Sequence, residues 1–172
     1  MGDGRSGAAA RRERMDVVRR MQAGVIADDP MLDGMCAVVT HRMKADAAVV
    51  TLLLETEQVF IGQHGLRSSP GAMPRQHSDA MLVVEYFEEL RMDENPAMAR
   101  NPMVHGPHDS FRSVVTAPVR IDGAVVGALN VLTRRHRPEP YGPEDMAILF
   151  DVRRGIEAHL AFGVLVRARR TG

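Results

Sequence analysis

Apolar and polar positions recur in two rhythms along this chain, and the change of rhythm divides it into helices at both ends with strands between. From Arg11 to Ala27, the residues Met15, Val18, Met21 and Val25 return every three or four positions, the spacing of one helix face. Asp28-Asp29-Pro30 ends that segment and starts another, since Asp29 can cap a helix and Pro30 suits its first turn. Leu32, Met35, Val39 and Met43 form the next helical stripe, with Cys36 at its edge. The rhythm then changes. Ala47 to Leu54 is a nearly continuous apolar run of strand length, and Gln58 to Gln63 returns as a second strand after a turn at Glu55-Thr56-Glu57. Gly65 to Ser78 reads as loop, with turn chemistry at Ser68-Ser69-Pro70-Gly71. Asp79 to Met92 fits either a short helix or a strand. Asp93 to Asp109 reads as a long polar loop carrying Pro96, Pro102 and Pro107, a kind more often functional or mobile than incidental.

The clearest segment follows. Asp122-Gly123 sits between two β-branched runs, Val114 to Ile121 and Ala124 to Leu132, and such a pair marks a tight hairpin because the turn needs positive φ. Pro138, Pro140 and Pro143 then lead into a helix from Glu144 to about Arg169, roughly 39 Å long at 1.5 Å per residue. Leu149, Val152, Ile156, Leu160 and Gly163 form its stripe. Ala161 to Val166 is apolar nearly all round, the character of a helix end that meets another chain. The order predicts an α+β fold, with a central antiparallel sheet of about five to six strands and the N- and C-terminal helices packed on one face. Residues 1–12, rich in Gly, Ala and Arg, read as a disordered tail, and residues 13–170 as a single domain.

Composition narrows the function classes. The 172 residues carry 22 Lys plus Arg and 22 Asp plus Glu, so the neutral chain offers little long-range attraction to nucleic acid or an anionic membrane. No apolar run nears the ~18 residues that span a bilayer, and no signal-type apolar segment follows the first charges. A cytoplasmic protein is expected. The single cysteine, Cys36, excludes an intrachain disulfide and a multi-cysteine zinc site, and reads as a small buried hydrophobe rather than a nucleophile. The 12 methionines fit adaptable core filler or a pocket that reshapes around a ligand.

Other chemistry is thin. His105 and His108 share a loop with Asp109, a weak metal pattern, and His64 and His77 are remote candidates for haem. Arg134, Arg135, His136 and Arg137 form a basic cluster that reads as a solvated strand exit; as a phosphate site it would need further donors nearby. The chain holds no phosphate-binding glycine loop, dinucleotide fingerprint, HExxH or GxSxG motif, and is expected to be no enzyme.

Several phrases carry a family resemblance. KADAAVVTLLLETEQVFIGQHGL (Lys44 to Leu66), MPRQHS (Met73 to Ser78), NPMV (Asn101 to Val104), FRSVVTAPV (Phe111 to Val119), GAVVGALNVL (Gly123 to Leu132) and PEDMAIL (Pro143 to Leu149) resemble successive segments of GAF domains of bacterial signalling proteins. The resemblance covers about residues 14 to 165 and is most specific in the hairpin. It implies a small-molecule-sensing regulatory domain acting as a homodimer, with output through a partner signalling protein. A ligand-free dimerisation or interaction module is the alternative. It also implies a pocket between one sheet face and loops, with His77, Ser78, Tyr86, Phe87, Met103, Phe111, Ser113, Val115 and Asn130 as candidate lining. Asn130, a polar amide in an apolar strand, is the sharpest of these: facing inward it needs a partner, and facing solvent it does not. In relatives that attach a bilin or reduce free methionine sulfoxide, cysteines sit in the pocket region. Here that region has none, so the expectation is no covalent cofactor, no metal and an unidentified small-molecule ligand. Val18, Val25, Ile156, Leu160 and Val164 are the expected dimer interface.

Overall fold

A computed structural model describes residues 12, 15–19, 29–68, 71–74, 88–91, 102–105, 111–137 and 139–168, without the side chains of 88–91, 102, 105 and 164–168. Helix α1 (Pro30–Arg42) starts as its residue types dictate. The Asp29 carboxylate accepts the Met31 amide at 2.9 Å and Pro30 occupies the first turn. Its buried residues are Leu32, Cys36, Val39 and Thr40, so Cys36 sits in the middle of the packed face rather than at its edge. Residues 15–19 are also helical, with Val17 and Val18 buried in the same core.

Six strands follow in one antiparallel sheet: β1 (Ala47–Leu53), β2 (Glu57–His64), β3 (Ala72–Pro74), β4 (Glu88–Arg91), β5 (Ser113–Ile121) and β6 (Ala124–Thr133). Their spatial order is β3-β2-β1-β6-β5-β4. Between β4 and β5 lies one helical turn, α2 (Pro102–His105), and after β6 comes the long helix α3 (Pro143–Ala168), 26 residues. The architecture is the α+β arrangement expected. Three local readings change. Pro102–His105, within the stretch 93–109 expected to be loop, forms a helical turn. Ala72–Pro74, within a stretch expected to be loop, pairs with β2 as an edge strand. Glu88–Arg91, where helix and strand were both open, pairs with β5.

The β5–β6 hairpin turns as its Asp-Gly pair requires, with φ of 50° at Asp122 and 83° at Gly123. Register then shifts. Val119 pairs with Gly127 but Arg120 pairs with Val125, leaving Val126 as an extra residue on β6. Beside this bulge, β1 runs very close to β6, and a Cβ added at Gly127 would overlap the Thr51 carbonyl oxygen. Beyond the bulge, alternation sorts each strand into two faces. Ala48, Val50 and Leu52 of β1, Val115, Ala117 and Val119 of β5, and Leu129 and Val131 of β6 join the core beneath α1 and α3. Leu32, Val39, Leu149, Ile156 and Leu160 meet them from the helices.

Candidate functional site: the sheet face opposite the helices

The second face is built differently. One end is apolar: Ala47, Val49, Val114 and Leu132 from the sheet pack with Phe60, Met73, Met103, Val104 and Phe111. The middle of the face is polar. Asn130 pairs across the ladder with Val49 on one side and Thr116 on the other. Thr51 lies one row along and donates to the Ala128 carbonyl at 3.4 Å. Asn130 and Thr116 are each 1 % exposed, and the Thr116 hydroxyl donates to Asn130 Oδ1 at 2.8 Å.

Asn130 Nδ2 is buried and has no hydrogen-bond partner among the described residues. Rotating the amide would exchange the roles, with Nδ2 donating to Thr116 and Oδ1 left over, so one end is unsatisfied in either orientation. An unsatisfied buried amide group costs on the order of 1–3 kcal/mol. An ordinary core would have an apolar residue here.

An arginine closes the apolar end. The Arg134 guanidinium stacks over the Phe111 ring at 4.9 Å, reaches the Gly65 carbonyl at 3.1 Å and pairs with Asp46 at 3.4 Å. The Arg134 amide also donates to Asp46 at 2.7 Å. The exit of β6 is thereby tied to the start of β1 and the end of β2.

The nine residues expected at a pocket are therefore divided. Met103, Phe111 and Asn130 share this face or cover it. Ser113 and Val115 do not. They occupy the odd phase of β5, which faces the helices; Val115 is in the helix-side core and Ser113 contacts His136 Nδ1 at 3.1 Å. His77, Ser78, Tyr86 and Phe87 lie outside the described residues. Thr116 and Thr51 were missed. Thr116 stands in the opposite phase to Ser113 and Val115, which is the signal that would have placed it beside Asn130 once the facing was known.

The expected dimer residues are redistributed too. Val18 and Ile156 are fully buried and Leu160 is 7 % exposed, all within the chain's own helix-side core. Their apolar character is accounted for without a second copy. Val25 and the side chain of Val164 lie outside the described residues. Among the described residues, the exposed large hydrophobics are instead Met31 and Val38 on α1 and Phe162 on α3.

Cys36 stands apart from this face. Burial, and secondarily the Asp33 charge, push its thiol up to about 12, which leaves it protonated and unreactive. Among the described residues no group of three or more His, Cys, Asp and Glu is placed to hold a metal ion, and no helix is long and apolar enough to cross a membrane. The side chain of His105, and His108 entirely, lie outside the described residues.

No protein-family model and no curated protein matches the sequence. Solved structures do. The chain is similar to the GAF domain of an Acinetobacter phosphoenolpyruvate-protein phosphotransferase, with a TM-score of 0.63, 21% identity, and coverage of 99% of this chain and 98% of that one. It is also similar to a phycoerythrobilin-bound GAF domain of a cyanobacterial phytochrome, with a TM-score of 0.65, 13% identity, and coverage of 90% and 97%. A third similar structure is a type II free methionine-R-sulfoxide reductase from Thermoplasma acidophilum, with a TM-score of 0.59, 16% identity, and coverage of 78% and 90%. The chain has the GAF fold.

Proposed function

We propose that this chain is a regulatory GAF domain that senses a small molecule on the sheet face around Asn130 and acts as a homodimer in signal transduction. The observation that carries the reading is the buried Asn130 amide, held by Thr116 at one end and unpartnered among the described residues at the other. A ligand offering a hydrogen-bonding group there, and an apolar body toward Val49 and Leu132, would complete the amide's bonding. Similar structures support the class, since one is bilin-bound and another belongs to a phosphotransferase. The single cysteine lies in α1 on the helix side, away from this face, which argues against covalent attachment or thiol catalysis here.

The paired variant Asn130→Leu with Thr116→Val tests the site. It removes both hydrogen-bonding partners together, so it deletes the polar contacts a ligand would use without leaving an unpaired buried group behind. Native mass spectrometry of gently purified wild type should show a dimer that sheds a defined small mass on denaturation. The variant should stay folded and empty. An empty wild type, or a variant that keeps the mass, would overturn the reading.

A second reading, a ligand-free interaction module, is favoured by the exposed Met31, Val38 and Phe162. Asp29 meets His159 at 2.7 Å, which sets the start of α1 beside the C-terminal half of α3 and brings Met31 and Phe162 to the same end of the helix pair. This surface belongs to the dimer in the first reading and to a partner protein in the second. Met31→Glu with Phe162→Glu should convert the dimer to a monomer in sedimentation analysis while leaving any bound ligand in place.

A further inference from the structure

A cleft of about 370 Å³ lies where β1 begins and β6 stops, lined by Lys44, Thr133, Arg135, His136, Arg137 and Glu139, with Asp46. In the sequence the arginine cluster stood alone. The fold adds Lys44 from the turn after α1 and a strand hydroxyl from β6. Lys44 has a φ of 52°, so the turn is held in the left-handed region by a residue for which that conformation is costly.

The charges in this cleft are not equivalent. Asp46 is taken by Arg134, which pairs with it at 3.4 Å through a side-chain nitrogen and at 2.7 Å through its backbone amide. Arg137 is fixed from three sides: it donates to the Met43 carbonyl at 3.1 Å, pairs with Asp145 at 3.4 Å and stacks on Tyr141 at 4.1 Å. It thus covers the carbonyl end of α1, which would otherwise repel an anion. Lys44 and Arg135 have no ion-pair partner among the described residues. Among the described lining residues, Glu139 is the carboxylate left to oppose them.

The second observation is independent of charge. Thr133 lines the cleft, is 5 % exposed, and its hydroxyl has no hydrogen-bond partner among the described residues. Its ladder partner Ser113 is engaged with His136 at 3.1 Å. Two cations with no ion-pair partner among the described residues therefore line the cleft from the α1–β1 turn and the loop after β6, and the end of β6 between them carries a buried hydroxyl with no partner among the described residues.

We propose that this cleft binds the phosphate group of a small phosphorylated molecule, with Lys44 and Arg135 as its charge partners and the Thr133 hydroxyl as a donor. A phosphate has enough acceptor oxygens to be met from three directions at once, and charge-assisted bonds of this kind are the strong ones. The cleft is larger than a bare phosphate needs, so the rest of the molecule lies along it toward Glu139. Thr133 belongs to the helix-side phase of β6 and Asn130 to the opposite one, so this site does not depend on the sensing face.

The test is calorimetric titration of inorganic pyrophosphate into the full chain in a chloride buffer, with malonate as the carboxylate control. Wild type should show saturable binding that weakens with added salt, while malonate shows none. Lys44→Ala with Arg135→Ala should weaken it by roughly tenfold or more. Thr133→Val should weaken it by about threefold without loss of thermal stability, since it removes an unsatisfied hydroxyl. Glu139→Gln should tighten binding. Asn130→Leu with Thr116→Val should leave it unchanged. The proposal falls if wild type shows no saturable binding, if the Lys44 and Arg135 variant binds as wild type does, or if malonate binds as well as pyrophosphate.

Discussion

The two faces of the sheet are made of the same strands and are built to opposite ends. On the helix side, Val50, Leu52, Ala117, Leu129 and Val131 meet Leu32, Val39, Leu149 and Ile156 in one apolar cluster. On the other side, among the described residues, apolar packing splits into a larger cluster at one end and the small Leu53–Ala128 pair beyond Thr51, and Thr51, Thr116 and Asn130 occupy the middle, all at or below 1 % exposure. One face is optimised for burial and the other retains a polar centre that burial makes costly. Such a cost is kept where a polar group has something to recognise, and functional sites are where local rules of packing are broken.

The sharpest way to break this contrast is to damage the helix side. Ile156→Ala should destabilise the fold by about 2–5 kcal/mol in chemical denaturation, because a fully buried side chain leaves a cavity between α3 and the sheet. Gly127→Ala should cost about 1–3 kcal/mol, since the added methyl meets backbone at Thr51 and not a side chain that could swing away. The opposite face should respond with the reverse sign. Asn130→Leu with Thr116→Val should be neutral or stabilising by about 1 kcal/mol in the ligand-free chain. Marked destabilisation by that pair would show that the polar centre is structural.

A smaller effect sharpens the helix side itself. Burial raises the Asp29 carboxyl, but the His159 hydrogen bond, the Met31 amide, the His159 charge and the Leu32 amide together outweigh it and leave it below its ordinary 3.8. A depressed carboxyl contributes stability that is fully present above about pH 3.8 and is lost as pH falls through its lower folded value. Wild type should exceed Asp29→Asn in stability by less than about 1 kcal/mol at neutral pH, because Asn still caps α1. Urea melts across the acid range should show that margin closing below pH 3.8. The smallest effect concerns Cys36. Its thiol, pushed up to about 12, should resist alkylation at pH 8 until the chain unfolds globally. Rapid labelling of the native protein would contradict the packing of α1 on the sheet.

How far this was legible can be followed on the hairpin. Its turn was readable from Asp122-Gly123, and both residues have the positive φ the pair implies. Its register was not. Counting back from the turn sets Thr116 against Leu129, whereas the extra residue at Val126 sets it against Asn130 and so creates the polar pair. The extra residue sits beside the place where β6 passes close to β1 at Thr51, a contact between strands far apart in the chain. The same holds for Ser113 and Val115. Alternation linked them to each other, but either face was open, and α1 and α3 decided it.

What the residues determined alone is local: the Asp29-Pro30 start of α1, the Asp-Gly turn, the strand lengths, and an α+β order with helices at the ends. These depend on dihedral preferences and hydrogen bonds a few residues apart, which neighbours in sequence settle between them. The tertiary structure decided which apolar stripes face inward, so that Val18, Ile156 and Leu160 became core while Met31, Val38 and Phe162 stayed outside. It also decided which polar side chains lost water without gaining a partner among the described residues, as at Asn130 on one face and Thr133 at the end of the other. Burial and pairing are properties of segments brought together from distant parts of the chain, so one strand read alone carries the residues but not their surroundings.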